Sequence, residues 1–270
     1  MMKRLLTACG LGVVVLCSAT PSHAFKTGYH FYMTYAIGHW CGLQEKPSAT
    51  GNFGDTNEAY AIAWGNASTD TFKETDAGAN PDEWLDPSKA ETRLIYHFAV
   101  PRGMYNQRVK RGSKDAWLTV EDSISNLAPA SKDPLAPMLV GIGLHTLQDS
   151  WAHEGYSPEW GHWTQEPDFP STNVGKSLEA AAATWDALNR WKLKKYGKGC
   201  DVAYKDLAGL LETWCQKPLN SGESVAQYWR KNIEALAQKP VPADKFDDNN
   251  AWAKHFLTAA DAVKRLKELE

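Results

Sequence analysis

The sequence predicts an all-α protein with a single domain. Apolar residues recur at helical spacing along most of the chain, which is the pattern of helices that bury one face. No segment alternates apolar and polar residues with an enrichment in β-branched types, as a half-buried strand would. No low-complexity linker or internal repeat divides the chain, and its length suits one domain or at most two small ones.

Eight segments carry the helical spacing. They are residues 31–40, 59–72, 116–127, 135–153, 178–196, 202–214, 225–236 and 252–269. Clusters of Gly, Pro and Asn mark the breaks between helices. These breaks fall at residues 47–54, 78–87, 101–112, 129–137, 158–175 and 240–250. The longer breaks leave loops that are free to form a site at one end of the domain.

Residues 1–24 predict an export signal. Two basic residues precede an apolar run, and Ser22 and Ala24 are small residues at the positions that a signal peptidase reads, so we expect cleavage before Phe25. The mature domain would then comprise residues 25–270, exported to the periplasm or secreted. No later stretch is apolar over about 18 residues, and we expect no transmembrane span in the mature chain.

The charge of the mature chain is acidic. Loss of two positive charges with the signal segment changes the formal net charge from −3 to −5. Bulk electrostatics therefore do not favour a polyanion-binding surface. An anionic substrate would need metal ions in a pocket to attract it.

Three cysteines remain after the signal segment, Cys41, Cys200 and Cys215. The residues between Cys200 and Cys215 have helical spacing, and a helix of that length would hold the two about 20 Å apart, beyond disulfide distance. A disulfide from Cys41 to one of the other two is at least as well favoured, and the pairing stays open.

The segment LHTLQDSWAHEGY, residues 144–156, carries the strongest functional signal. In a helix His145, Asp149 and His153 follow one another at intervals of four residues, and each step turns by about 40°, so the three side chains share one stripe. Another imidazole and two carboxylates follow nearby, on His162, Glu166 and Asp168. Imidazole and carboxylate groups at this density indicate a metal centre, with zinc as the expected ion.

Two upstream residues gain meaning only if they approach this helix. Asp70 ends the helix-like stretch EAYAIAWGNASTD, and His97 lies in the apolar stretch RLIYHFAV. Alone, Asp70 would be a polar residue at a helix end and His97 a hydrogen-bonded core histidine.

The order of these residues resembles the zinc-dependent phospholipase C and single-strand-specific nuclease superfamily. The positions that carry the resemblance are Phe25, His30, Asp70, His97, His145, Asp149, His153 and His162. In the nuclease branch an aromatic residue begins the mature chain and a ligand histidine follows five positions later, the spacing of Phe25 and His30. The resemblance implies a single-domain multi-helix bundle that holds up to three zinc ions.

The resemblance also implies a ligand set for each zinc ion. The first set is Asp70, His97, His145 and Asp149. The second set is the amine and carbonyl of Phe25, with His30 and the other oxygen of Asp149. The third set is His153, His162 and a carboxylate, for which we expect Glu166, with Asp168 as the alternative. His153 follows His145 by eight residues, where the families have ten, so two or three zinc ions are expected.

The resemblance implies that the protein hydrolyses a phosphodiester by means of a metal-activated water. The phosphodiester would be that of a phospholipid headgroup or of a similar small ester. Asp149 would bridge two cations and Asp70 would orient the water, so both are expected to be catalytic. Three tryptophans flank the expected ligands and could stack on substrate or enclose a headgroup. They are Trp151, Trp160 and Trp163. A phospholipid substrate would bring peripheral contact with a membrane.

Two alternatives remain. The chain could be a single-strand nuclease, although its acidic charge favours a small or zwitterionic ester over long nucleic acid. It could also be a non-catalytic protein in which the metals are structural. A bridging carboxylate argues against this second alternative, because a structural zinc site is closed by four protein ligands whereas a shared cluster leaves positions for water.

Overall fold

The computed structural model describes residues 27–43, 58–71, 75, 86–127, 136–159, 170–216 and 231–232. Within these ranges the chain is helical and contains no strand, which confirms the all-α prediction. The helices are α1 (Thr27–Trp40), α2 (Glu58–Ser68), α3 (Pro87–Tyr96), α4 (Lys114–Leu127), α5 (Ala136–Ala152), α6 (Val174–Tyr196) and α7 (Tyr204–Gln216), with a short 3₁₀ helix at Pro170–Thr172. The predicted export signal and nearly all of the two C-terminal predicted helices lie outside the described residues.

Helix α5 is the centre of the fold. All of its residues are buried, and it packs against α2, α3, α4 and α6. The N-terminal half of α5 is apolar around its whole circumference, as expected of a helix inside a protein, and the polar side chains of its C-terminal half are buried as well. Helix α1 covers α2 and α6, and α7 packs against α6.

Two glycines allow α2 and α5 to approach each other closely. A Cβ atom on Gly65 would lie 2.3 Å from the main-chain oxygen of Met138, and one on Gly141 would lie 2.1 Å from that of Ile62. Both distances are far inside van der Waals contact, so the two helix backbones meet where only glycine fits. This contact sets the position of the end of α2 relative to the polar half of α5.

Helix α3 was not predicted from the sequence. It begins at Pro87, a residue favoured in the first helical position, and the main-chain oxygen of Asp86 accepts hydrogen bonds from the main-chain nitrogens of Lys89 and Ala90. Its first two turns are polar, so apolar spacing develops only near its end. That is too short a pattern for periodicity to register.

Cys41 and Cys200 form a disulfide, and Cys215 is a buried free cysteine. Of the pairings that the sequence left open, the structure thus contains one that involves Cys41. The bond joins the segment after α1 to the segment after α6.

None of the described helices is long and apolar enough to cross a membrane.

Candidate metal centre

The C-terminal half of α5 carries two adjacent ligand-type side chains. His145 and Asp149 are one turn apart and fully buried, and His145 Nε2 lies 3.2 Å from Asp149 Oδ2. Residues at positions i and i+4 of a helix are neighbours. Two members of the stripe predicted from the sequence are therefore in direct contact. The third, His153, lies just past the end of α5, with its Nδ1 3.9 Å from Asp149 Oδ2.

Two more side chains reach α5 from the ends of other helices. Asp70 lies in the turn after α2, with its Oδ1 3.4 Å from His145 Nε2. His97 follows α3 directly, and its Nδ1 is 3.2 Å from both His145 Nε2 and Asp149 Oδ2. His97 Nδ1 and Asp70 Oδ1 are 4.0 Å apart. Two imidazole nitrogens and two carboxylate oxygens thus surround one small volume.

His30 approaches the other oxygen of Asp149. It lies on α1, and its Nε2 is 3.2 Å from Asp149 Oδ1. Asp149 therefore directs one oxygen to His30 and the other to His97 and His145. We call these five buried residues the His/Asp cluster: His30, Asp70, His97, His145 and Asp149.

Hydrogen bonds on the outer side of two rings fix which nitrogen faces the cluster. His145 Nδ1 lies 2.9 Å from the main-chain oxygen of Asn66, and His97 Nε2 lies 2.7 Å from that of Thr75. A carbonyl oxygen only accepts, so each of these nitrogens carries the hydrogen and donates it. Each neutral ring then presents a lone pair to the cluster, the arrangement of metal-binding histidines.

The spacing inside the cluster fits a metal ion. Ligands about 2.1 Å from a tetrahedral zinc ion are about 3.4 Å from one another, and the nitrogen–oxygen separations in the cluster run from 3.2 to 4.0 Å. Ligand atoms come within 4.8 Å of one another in two overlapping sets, His97 with His145 and Asp149, and His30 with Asp70 and His145. Lone pairs and carboxylates this close repel one another unless positive charge lies between them.

The ionisation of the cluster suits metal binding. Burial alone would raise the pKa of Asp149, but the charges and hydrogen bonds of His145, His30 and His97 hold it well below its ordinary value. Burial lowers the pKa of His145, whereas at His30 and His97 the charges and hydrogen bonds of the neighbours, Asp149 and Asp70 among them, together outweigh burial and raise the pKa. The carboxylate is therefore ionised and His145 neutral at neutral pH, as ligands must be. The protons on His30 and His97 are those that a metal would displace.

His153 lies beside the cluster and supports it. Its Nδ1 donates to the main-chain oxygen of His97 at 2.7 Å, and its ring stacks on Phe98 with centroids 4.1 Å apart. This contact holds the segment that carries His97, and it leaves Nε2 as the nitrogen with the lone pair.

Several other predicted site residues lie outside the described residues: Phe25, Trp160, His162, Trp163 and Glu166, together with the alternative Asp168.

Trp151 is part of the core. It is 6% exposed, its Nε1 donates to Glu179 Oε2 at 2.9 Å, and its ring lies against Gly112. The indole thus packs α5 against its neighbours. This placement favours a structural role over the predicted contact with substrate.

Sequence reasoning did not single out two buried polar residues that hold the cluster. The main chain of Asn66 accepts the hydrogen bond of His145, and Gln148 Oε1 lies 2.7 Å from His30 Nδ1. A signal for Gln148 was present, because it precedes Asp149 in a helix whose apolar composition predicts burial, and buried amides need partners.

Together, the fold and the site define an all-α protein with a buried cluster of metal-ligand type. Residues 25–162 match the model of a family of unknown function, DUF6765, and the chain belongs to this family. The matched segment contains the whole His/Asp cluster. No curated protein and no solved structure matches the chain.

Proposed function

We propose that this protein is an exported zinc-dependent phosphoesterase of the phospholipase C and nuclease type. One observation carries the proposal: Asp149 directs its two oxygens to different imidazoles, one to His30 and the other to His97 and His145. A carboxylate shared in this way suits two cations held about 3.5–4 Å apart, as in two-metal phosphoesterases. Imidazole nitrogens mixed with carboxylate oxygens favour zinc among the common divalent ions.

The roles of the residues follow from their positions. When bound, the metal ions would supply the positive charge that activates a water and neutralises the phosphate. His97, His145 and Asp149 would hold one ion, and His30 with the second oxygen of Asp149 would hold another. Asp70, which contacts His145 and His97, would complete the first set or orient the water proton. The buried surroundings strengthen each of these electrostatic contacts by excluding solvent.

The proposed substrate is a small phosphodiester, such as a phospholipid headgroup. The formal net charge, −3 for the whole chain and −5 without residues 1–24, does not favour long polyanions, because attraction must come from the metal centre alone. Peripheral contact with a membrane follows if the substrate is a phospholipid. A single-strand nuclease would use the same centre, and substrate comparison separates the two.

Complete burial of the cluster favours one second candidate, a protein in which the metals are structural. All five residues are at most 2% exposed, and an ion among them would tie α1 and the ends of α2 and α3 to α5. Such an ion would stabilise the fold without catalysis.

One experiment on the processed protein separates these functions. Metal content is measured by mass spectrometry after preparation without chelator, and hydrolysis is measured with a chromogenic phosphodiester, a phospholipid and single-stranded DNA. We expect at least two equivalents of zinc and hydrolysis that chelation abolishes and zinc restores. Less than one equivalent of metal would overturn the proposed centre. Full metal content without hydrolysis of any substrate would support the structural role.

A further inference from the structure

A chain of buried hydrogen bonds runs from α6 to the inner nitrogen of His30. Thr184 Oγ1 donates its single hydrogen to the main-chain oxygen of Ala180 at 2.8 Å. Thr184 Oγ1 also lies 2.9 Å from Gln148 Nε2, and in this contact the hydroxyl oxygen can only accept. The orientation of the Gln148 amide is thereby fixed, with its nitrogen towards α6.

The fixed amide determines the tautomer of His30. Gln148 Oε1 faces His30 Nδ1 at 2.7 Å, and an amide oxygen only accepts, so Nδ1 carries the hydrogen. The lone pair of the neutral ring then lies on Nε2, which is 3.2 Å from Asp149 Oδ1. Reversal of the amide would place its N–H groups against Nδ1 and move the ring hydrogen into the cluster.

The remaining contacts of Gln148 make reversal costly. Its Nε2 also donates to Thr34 Oγ1 at 2.9 Å, and its Oε1 also accepts from Asn66 Nδ2 at 3.0 Å. Gln148, Thr34, Asn66 and Thr184 are all fully buried. Both ends of the amide are thus satisfied in one orientation, in surroundings where a lost hydrogen bond cannot be replaced by water.

The His30 side of the cluster is anchored differently from the other side. His145 and His97 donate to main-chain carbonyls, which no single substitution removes. His30 depends on one side chain. We propose that Gln148, oriented by Thr184, is the positioning residue that selects His30 Nε2 as a metal ligand and so controls occupancy of the second metal position separately from the first.

This inference rests on the proposed metal centre, and the test uses the full chain expressed with its own N-terminal segment. Gln148→Met keeps the length of the side chain and removes the hydrogen bonds. We expect the second equivalent of zinc to bind about 10–100-fold more weakly, the usual effect of losing an outer partner of a ligand histidine, while the first equivalent keeps its affinity. Titration with zinc, and the absorption spectrum of the cobalt-substituted protein, report the two positions.

Two further variants sharpen the test. Gln148→Glu keeps an acceptor opposite His30 Nδ1 and should recover part of the second-site affinity. Thr184→Val leaves Gln148 in place, removes one of the two hydroxyl groups that accept from its amide nitrogen, and should weaken the same site by less than Gln148→Met does. Ser123→Ala removes a buried hydroxyl of α4 that bonds only main-chain oxygens in the described residues and should leave both affinities unchanged.

A readout independent of metal and catalysis is the tautomer of His30. Nitrogen–proton correlation spectra of the metal-free protein at alkaline pH should show the hydrogen on Nδ1 in the native chain and a mixture of tautomers in Gln148→Met. The inference would be overturned if Gln148→Met weakened the binding of both zinc equivalents equally. It would also be overturned if Gln148→Met and Thr184→Val both kept the hydrogen on Nδ1 and kept the second-site affinity unchanged. A native chain that binds no metal would overturn the proposed function, and the His30 spectrum would still decide the role of Gln148.

Discussion

The carboxylate of Asp149 contacts the ring of His30, with Asp149 Oδ1 3.2 Å from His30 Nε2. Asp149 helps to raise the pKa of His30, so in the metal-free protein a proton on Nε2 can join the two atoms, and two ligands of one zinc ion are separated by a similar distance. The contact therefore joins α1 to α5 in a way that either a proton or a metal ion would strengthen.

The first prediction concerns Asp149→Asn, which keeps the shape of the side chain and removes its charge. Because both oxygens face imidazoles, we expect the loss of at least one equivalent of zinc. Phosphodiesterase activity should fall by more than about 100-fold, since even outer partners of ligands contribute about 10–100-fold. Metal analysis and steady-state rates check this. Asp122→Asn, at an exposed position of α4, is the matched control, and equal effects of the two variants would contradict the prediction.

The second prediction concerns the contact between α2 and α5. In Gly141→Ala the new Cβ would lie 2.1 Å from the main-chain oxygen of Ile62, so the helices must separate. We expect destabilisation of about 1–3 kcal/mol from overpacking, measured by urea unfolding, and weaker zinc binding because α2 positions Asn66 and Asp70.

Gly209→Ala provides the control for this helix contact. Gly209 is an exposed residue of α7, and a Cβ there would meet nothing within 4 Å. Removing a glycine from a helix interior should stabilise it by about 0.5–1 kcal/mol, with zinc affinity unchanged. Stability of Gly141→Ala equal to that of the native chain would show that the helices can part without cost.

Much of the fold follows from the sequence because its helices are long and their apolar spacing is regular. The predicted segment 135–153 is the helix Ala136–Ala152, and the segment 178–196 is the end of Val174–Tyr196. The start of the latter depends on Asn173, whose side chain accepts from the main-chain nitrogen of Lys176. Such a cap is a local hydrogen bond that apolar spacing does not register.

The candidate site, like the fold, was predictable from the sequence only in part. Contact between His145 and Asp149 follows from helical geometry alone, whereas the approach of His30, Asp70 and His97 depends on tertiary packing. The resemblance to a known superfamily supplied those three positions, since spacing in sequence cannot show convergence. Gln148 meets His30 across 118 residues and Thr184 across 36, and no local pattern links them.

The third prediction concerns the stability of the metal-free protein as a function of pH. His30 and His97 have pKa values raised above 6.5. The stability that their protonated rings contribute to the folded state is therefore complete below pH 6.5 and is lost as the pH rises through the raised values. The pKa of His145 is lowered, so protonation of this ring at acid pH destabilises the folded state and offsets part of the stabilisation from His30 and His97. Asp149 has a pKa below its ordinary 3.8, so its contribution is lost only in stronger acid.

We therefore expect the metal-free protein to be most stable between about pH 4 and 6.5. The zinc-loaded protein should instead gain stability towards neutral pH, because ligands must lose their protons. Urea unfolding, with chelator or with saturating zinc, measures how the free energy of unfolding changes with pH in each form. His30→Gln should make this change smaller in the metal-free protein. Parallel slopes for the two forms would contradict this prediction.

The last prediction concerns the N-terminus that export would create. Cleavage before Phe25 gives an α-amine five residues from His30, and such an amine has a pKa of about 7.7–8.0, so a metal can displace its proton at modest cost near neutral pH. An amide nitrogen in an unprocessed chain cannot ligate in this way. A protein that retains Ala24 and earlier residues should stay folded but lose one equivalent of zinc and much of its hydrolytic rate. Three proteins make the comparison: one that begins at Phe25, one with a short N-terminal extension, and His30→Ala in the processed form. We expect the extended protein and His30→Ala to lose the same equivalent of zinc, because both act on the position that His30 Nε2 and Asp149 Oδ1 face. Equal zinc content and equal rates in the extended and processed proteins would exclude the N-terminal amine as a ligand and leave His30 alone on that side of Asp149.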